Sequence, residues 1–224
     1  MADAKDAAKA NAAKKALGLV KDGMVVGLGS GSTANIFTRM LGESGLKVVC
    51  VSTSHDARAA ALCAGLVVLG LDEIDRIDIA VDGADLVDPK KNLIKGMGGA
   101  LAMEKVVDYM AGKFVCLVDE SKLKKEFSGI VPVEALPLAA GPVALALQNG
   151  LGAKIALRAG SGKCGPVVTD NGNWIIDAEF GKVKDPALLE AEIQMIPGVV
   201  ANGIFTRNKP VVIVGSAKGA RVLG

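Results

Sequence analysis

Met24–Leu41 reads MVVGLGSGSTANIFTRML, and three kinds of sequence follow one another in it without a break. Val25 to Leu28 is a short apolar run. Gly27-Leu28-Gly29-Ser30-Gly31-Ser32-Thr33 is a glycine–serine loop, and from near Thr33 the pattern predicts a helix. Strand, loop, helix is the opening of a βαβ unit, with the loop beyond the carboxyl end of its strand. The alternation continues outward. KVVCVSTS (47–54) predicts a strand and HDARAAALCAGL (55–66) a helix. LVVLGL (66–71) and RIDIAVDGAD (76–85) predict two more strands, GGALAMEKVVDYMAG (98–112) a helix, and KFVCLVDESK (113–122) a strand. Upstream, residues 2–20 are rich in Ala and Lys and predict a helix that stops at Lys21-Asp22-Gly23. Strands alternating with helices of about 10–15 residues predict an α/β fold with a mainly parallel sheet covered on both faces. Ligands of such sheets bind beyond the carboxyl ends of the strands. GLGSGST, STS, DGAD and DESK all fall at that rim.

After Lys122 the texture changes. LKKEFSGIVPVEALPLAAGP is loop-like, with Pro132, Pro137 and Pro142, and a domain boundary is expected near Ser128. Farther on, Asn171-Gly172 between two β-rich runs is a hairpin signal. Asp185 followed by Pro186 supplies an N-cap and a first-turn proline for a helix over DPALLEAEIQMI. KPVVIVG predicts a buried strand that rejoins the first sheet. The expected organisation is residues 1–128 with 207–224 as the larger domain, and 129–206 as a small α+β domain of antiparallel strands and two helices.

Composition narrows the functional classes. Half of the 224 residues are hydrophobic and 22% are charged, enough for a substantial core; aromatics are only 3%, so that core is aliphatic. A net charge of +2 and few aromatics exclude a protein that lives on phosphate-backbone charge or base stacking, so no nucleic-acid partner is expected. Four scattered cysteines and a single histidine exclude the usual structural zinc spacings, and Cys50 and Cys116 read as small buried hydrophobes. No apolar stretch approaches the ~18 residues of a membrane span, and the first 20 residues lack a signal-peptide pattern. A cytoplasmic protein without membrane contact is expected.

Four features carry candidate chemistry. In the Ser30–Thr33 loop, glycines let backbone N–H groups turn inward, hydroxyls add donors, and a helix N-terminus favours an anion. The loop lacks the third glycine and the downstream acid of a dinucleotide fingerprint, and no P-loop sequence is present, so a single small phosphate is the best guest. The competing interpretation is a tight structural turn. Asp82 and Asp85 flank Gly83 and Ala84 at a strand end. Asp82 can instead cap backbone donors there, and no third ligand supports a metal. Lys95 precedes Gly96, Met97, Gly98 and Gly99, and can equally be a solvated loop charge. Glu104, early in the following helix, leans toward the N-terminus and so back over the glycine loop; alternatively it is a surface glutamate complementing the helix dipole. His55 is expected at the edge of a helix. With no second histidine and no G-x-S-x-G, triad hydrolysis is excluded.

In this order and spacing, GLGSGSTA, VDGAD, KGMGGA followed by EK, and VDESK resemble the type A ribose-5-phosphate isomerase family. VVTDNGNWIID and IPGVV are similar too, so the likeness runs from about Lys9 to the C-terminus. The resemblance implies a Rossmann-like larger domain and a ferredoxin-like smaller one. It implies interconversion of ribose 5-phosphate and ribulose 5-phosphate, with no metal or organic cofactor, in a homo-oligomer (dimer or tetramer). By position, Ser30, Gly31, Ser32 and Thr33 match the phosphate-contacting turn, Asp82 and Asp85 the acidic pair with Gly83 and Ala84 between them, and Lys95–Gly98 the sugar loop. Glu104 matches the general base, Lys122 a substrate-contacting lysine, and Lys9 a position that reaches the phosphate. Met97 stands where the family pattern has glycine, and Ala102-Met103 where a polar or basic pair precedes the glutamate. Two other classes share parts of the pattern. A sugar-phosphate-sensing regulator needs a helix-turn-helix, and only one helix precedes Val25. A coenzyme A transferase-like enzyme needs a longer chain.

Overall fold

The structure, a computed structural model, describes residues 2–160, 162 and 164–224. In chain order its first elements are α1 (Ala2–Leu17), β1 (Val25–Leu28), α2 (Ser32–Glu43), β2 (Val49–Ser52), α3 (His55–Cys63), β3 (Val67–Val68) and β4 (Ile79–Gly83). Next come β5 (Leu86–Val87), β6 (Leu93–Ile94), α4 (Leu101–Met110), β7 (Phe114–Asp119), β8 (Gly129–Ala135), α5 (Ala140–Leu151) and β9 (Lys154–Leu157). The last are β10 (Trp174–Phe180), α6 (Pro186–Gln194), β11 (Val199–Asn202), β12 (Ile204–Phe205), β13 (Val211–Ser216) and β14 (Gly219–Val222). No described helix is long and apolar enough to cross a membrane.

These elements form two compact units, and neither is one continuous segment. The first takes the chain up to Ala84, Met103–Leu123 and Asn208–Gly224. Its seven-stranded sheet has the order β14-β13-β7-β4-β1-β2-β3, parallel except for the edge strand β14. The sheet is nearly continuous in Val, Ile and Leu because both faces are covered. Val26, Leu28, Ile79, Val81, Val115, Leu117 and Ile213 pack against Ala12, Ala13 and Ala16 of α1 and Phe37 and Leu41 of α2. Alanines let α1 approach closely: the Ala8 carbonyl oxygen lies 2.0 Å from where a side chain on Gly215 of β13 would begin, and Asn11 Nδ2 donates to the Ser216 carbonyl at 2.9 Å. At the far end of the sheet, Asp78 enters β4 while accepting from the Val25 N–H at 2.8 Å, and the Asp78 N–H donates to the Val25 carbonyl at 2.9 Å. The Val25 N–H, with help from Arg76, outweighs partial burial and holds the Asp78 carboxyl below its usual range. Cys50 and Cys116 are fully buried, and burial pushes the Cys50 thiol up to about 12.

The second unit comprises Asp85–Ala102 and Lys124–Arg207. A boundary near Ser128 assigns too much to the first unit, because residues 85–102 pack elsewhere. β5 and β6 pair with each other and with β12, not with the parallel sheet. Leu86 and Ile94 lie in the second unit's core, and Leu101 and Ala102 pack on Ile175 and Ala201. The main sheet of this unit is antiparallel, β11-β8-β10-β9. The segment expected to be loop-like from its prolines contains the central strand β8. Pro132 is tolerated because β11 pairs only as far as Val133, one residue short of the proline, while the Pro132 carbonyl accepts the Gly203 N–H at 2.7 Å. Pro142 falls in the first turn of α5, where a missing N–H costs nothing.

Two local signals act as the sequence indicates. Asp185 accepts from the N–H groups of Ala187 and Leu188 at 3.1 Å each and starts α6. Asn171-Gly172 forms a turn, with Gly172 at φ +79°. That turn is pinned from a distance. The fully buried Glu134 on β8 accepts on one carboxylate oxygen from Thr169 Oγ1, Asn171 Nδ2 and Asn173 Nδ2, at 2.9, 3.0 and 2.9 Å.

Candidate active site

In the first unit, β1, β2, β4 and β7 run parallel, with Leu28 opposite Ser52 and Val81 and Gly83 opposite Leu117, so β1 and β2 end together and β4 and then β7 run on beyond them. Three of the four stretches expected at the rim meet through hydrogen bonds. Asp82 Oδ1 accepts from the Ser30 N–H at 3.2 Å and the Gly83 N–H at 2.6 Å. Ser30 Oγ lies 2.9 Å from Thr53 Oγ1 and donates to Ser54 Oγ at 2.7 Å. Ser54 Oγ accepts the Ala57 N–H at 3.0 Å as the N-cap of α3, so His55 stands at a helix edge, exposed. Gly31 turns the chain at φ +95° into α2, and Ser32 and Thr33 open that helix. Asp82 thus does what a strand-ending aspartate does, and it also positions the loop expected to hold phosphate.

Glu104 is not a surface residue: it is buried, 5% exposed. Its place on α4 explains why. Ala111 bridges to Ile77, and the Gly112 N–H donates to the Ile77 carbonyl, so the C-terminal end of the helix sits at the amino end of β4. The N-terminal turn therefore faces the carboxyl rim. Val107 packs against Gly27 of β1, its Cγ1 2.5 Å from where a Cβ on that glycine would stand. Glu104, three residues earlier, shares that face and lies one turn nearer the rim.

Beyond β7, Asp119 accepts from the Ser121 hydroxyl and from the Ser121 N–H at 2.7 Å, which shapes the turn carrying Lys122. Burial pushes the Asp119 carboxyl up, but Ser121, Lys122 and Lys5 together hold it below its usual range. Lys9 lies on α1, paired at 3.7 Å with Asp6. No group of three His, Cys, Asp or Glu side chains that could hold a metal ion is found among the described residues.

In the second unit, the β5–β6 hairpin is built around Asp88, which accepts from the N–H groups of Lys90 and Asn92 and from Asn92 Nδ2 at 2.7–2.8 Å. It delivers Lys95 directly after β6. Lys95 is buried, 2% exposed, so the solvated-charge alternative is overturned. Its N–H donates to the Gly203 carbonyl at 2.9 Å, and its ammonium lies 5.5 Å from the centre of the Phe205 ring. Gly96 follows at φ +96° and Gly99 at φ +83°, and the Gly99 N–H donates to the Gly96 carbonyl at 3.0 Å. This is a tight turn with Met97 and Gly98 at its tip.

Asp85 Oδ2 accepts the Met97 N–H at 3.2 Å. Met97, the departure from glycine, is exposed, with its sulfur 3.9 Å from Arg158 Nη2. Arg158 also donates from Nη1 to the carbonyls of Gly96 and Met97, at 3.0 Å each, and it is held by Asp177. Sequence reasoning missed Phe205, Arg158 and Asp177. The only available signal was that Asp177 falls within the VVTDNGNWIID motif.

The family model described as ribose 5-phosphate isomerase A (phosphoriboisomerase A) matches residues 49–219. The ribose-5-phosphate isomerase A of Thermococcus kodakarensis is 51% identical over 217 residues, 93% of this chain and 94% of that protein. That of Methanothermobacter thermautotrophicus is 47% identical over 220 residues, 96% of each. The solved ribose 5-phosphate isomerase A of Methanocaldococcus jannaschii superposes with a TM-score of 0.90 at 48% identity, covering 96% of this chain and 97% of that one. A solved D-ribose-5-phosphate isomerase in complex with phospho-erythronic acid gives a TM-score of 0.92 at 46% identity, covering 96% of each.

Proposed function

This chain belongs to the ribose 5-phosphate isomerase A family, and from that membership we propose that it interconverts D-ribose 5-phosphate and D-ribulose 5-phosphate. The observation that carries the chemistry is the burial of Glu104 on the rim-facing turn of α4. Moving the carbonyl from C1 to C2 requires a base that takes the proton from C2 and returns one to C1. One carboxylate over both carbons does this through a cis-enediolate, and a placed general base is typically worth about 10²–10⁴-fold.

Charge building on the enediolate oxygens calls for fixed donors. The buried Lys95 ammonium and the amides of Gly96 and Gly98 supply them, each good donor being worth roughly 3–4 kcal/mol, while the Met97 and Gly99 N–H groups are held by Asp85 and the Gly96 carbonyl. Asp82 and Asp85 move the hydroxyl protons, including those of ring opening, with Gly83 and Ala84 lining the sugar between them. Ser30, Gly31, Ser32 and Thr33 hold the phosphate, aided by Lys9 and Lys122. Binding energy from that remote group positions the reacting carbons.

The reaction uses no metal or organic cofactor. It belongs to the non-oxidative branch of the pentose phosphate pathway, in the cytoplasm, and the enzyme works as a homo-oligomer, dimer or tetramer. Phospho-erythronic acid, bound to a relative, fits the same chemistry: its carboxylate stands in for the enediolate oxygens and its phosphate for that of the sugar.

The test follows ketose formation from ribose 5-phosphate, and exchange of the C2 proton in heavy water, for wild type and Glu104→Gln. Wild type turns over and exchanges, in the presence of chelator as well. The variant loses about 10²–10⁴-fold in both. An inert wild type removes the function, and a variant at near-normal rate removes the base.

A further inference from the structure

We infer that Arg158 is the positioning residue of the Gly96–Gly99 turn, fixing its peptide planes so that the Gly98 N–H faces the substrate. The inference rests on the isomerase function proposed above. Three of the four residues in this turn are glycine, which gives the segment little conformational preference of its own and the largest entropy to lose on ordering. Beyond the one Gly99 N–H to Gly96 carbonyl bond that closes the turn, order must come from outside it. Arg158 Nη1 donates to the Gly96 and Met97 carbonyls at 3.0 Å each. In a planar trans peptide the C=O and the following N–H point opposite ways. Gripping those two carbonyls therefore sends the N–H groups of Met97 and Gly98 away from the guanidinium. The Met97 N–H reaches Asp85 Oδ2 at 3.2 Å, so Arg158 and Asp85 hold the same peptide plane from its two edges. The Gly98 N–H is turned the same way, as a donor for the enediolate oxygen.

The clamp is itself anchored. Asp177 on β10 sits opposite Ala156 of β9, and Arg158, two residues on, shares the face of Ala156. Asp177 grips the guanidinium by its fork, accepting from Nε at 2.9 Å and from Nη2. The Arg158 N–H donates to the Ile175 carbonyl at 2.9 Å, and the Arg158 carbonyl accepts the Val167 N–H at 2.8 Å, so its backbone is fixed as well. The Met97 thioether, 3.9 Å from Nη2, lies over the outer side. Arginine supplies donors in a rigid plane for one carboxylate and two carbonyls at once, which an ammonium on a flexible stem does not do.

The experiment compares wild type, Arg158→Lys and Arg158→Ala in the full chain. It measures kcat and KM for ribose 5-phosphate, inhibition by phospho-erythronic acid, thermal melting, and rescue by added guanidinium. Loosening of the turn by about 1 Å lowers kcat of Arg158→Ala by roughly 10²-fold, with KM changed far less. Inhibition by phospho-erythronic acid weakens in parallel with kcat/KM, and millimolar guanidinium restores part of the rate. Arg158→Lys keeps the charge but loses about tenfold in kcat. Where Arg158→Ala does not fold, Arg158→Lys and its response to guanidinium decide. A folded Arg158→Lys with wild-type kcat overturns the inference. So does a set of variants that lose melting temperature while keeping kcat, since the arginine is then only structural. A wild type that does not isomerise overturns the function and this inference with it.

Discussion

Asp82 fills the space above Gly29: a Cβ at position 29 would begin 2.0 Å from both Cγ and Oδ1 of the aspartate. The Ser30 amide, next along, donates to that same oxygen. The position of the loop proposed to hold phosphate is thus set by a side chain from the neighbouring strand rather than by the loop's own sequence.

Gly29→Ala tests this. The added methyl displaces Asp82 and releases the Ser30 amide. Overpacking of this kind costs about 1–3 kcal/mol, seen as a fall in Tm of several degrees. Release of the loop proposed to hold the phosphate raises KM for ribose 5-phosphate, and displacement of Asp82, proposed to move hydroxyl protons, lowers kcat as well. A variant with unchanged KM would show that the loop does not touch the phosphate.

Lys95 and Phe205 make a second pair with separable roles. Lys95→Met removes the ammonium proposed to face the enediolate and lowers kcat by about 10²–10³-fold. Phe205→Leu keeps an apolar wall but removes the ring face under the ammonium, costing about 0.5–2 kcal/mol of stability. Steady-state kinetics and thermal melts on both variants separate the two effects. Full activity in Lys95→Met removes the lysine from the chemistry.

Asp78 gives a pH prediction with a defined sign. Its folded-state carboxyl lies below the ordinary value, held there by the Val25 N–H and Arg76. A lowered folded pKa contributes stability that is fully present above the unfolded value, near 3.9, and lost as pH falls through the folded one. The Tm gap between wild type and Asp78→Ala is therefore constant from about pH 7 to 5 and narrows below about pH 4. The part that remains in acid is the cost of leaving the Val25 N–H without its acceptor. A gap that widens in acid contradicts the assignment.

The parallel sheet was legible because its signals are local and repeated: apolar runs, loops and helices in strict alternation. The cap at Asp185 and the turn at Asn171-Gly172 were legible for the same reason. What failed was long-range or too short to carry a pattern. β5 and β6 have two residues each, and long-range contacts assign them to the second unit: the pairing of β6 with β12, over a hundred positions on, and the packing of Leu86 and Ile94 in its core. Pro132 argued against a strand, and its tolerance depends on where β11 stops. Among the candidate residues, Ser30, Asp82, Lys95 and Glu104 stood out because their chemistry is unusual for their place. Arg158 did not, because its acceptors are main-chain carbonyls, and every residue has one. The surface alternatives for Lys95 and Glu104 were excluded only by their burial, which no local pattern reports.

The contact of α1 with β13 has a consequence for how the molecule is made. A ribosome releases residues 2–17 long before 211–216, yet Ala8 and Asn11 close on Gly215 and Ser216. Until β13 emerges, β7 is an open edge and the alanine face of α1 lacks one of the strands it packs on. The first unit therefore completes only after the second has been fully synthesised. A chain cut before Val211 leaves an exposed sheet edge that invites pairing with another copy.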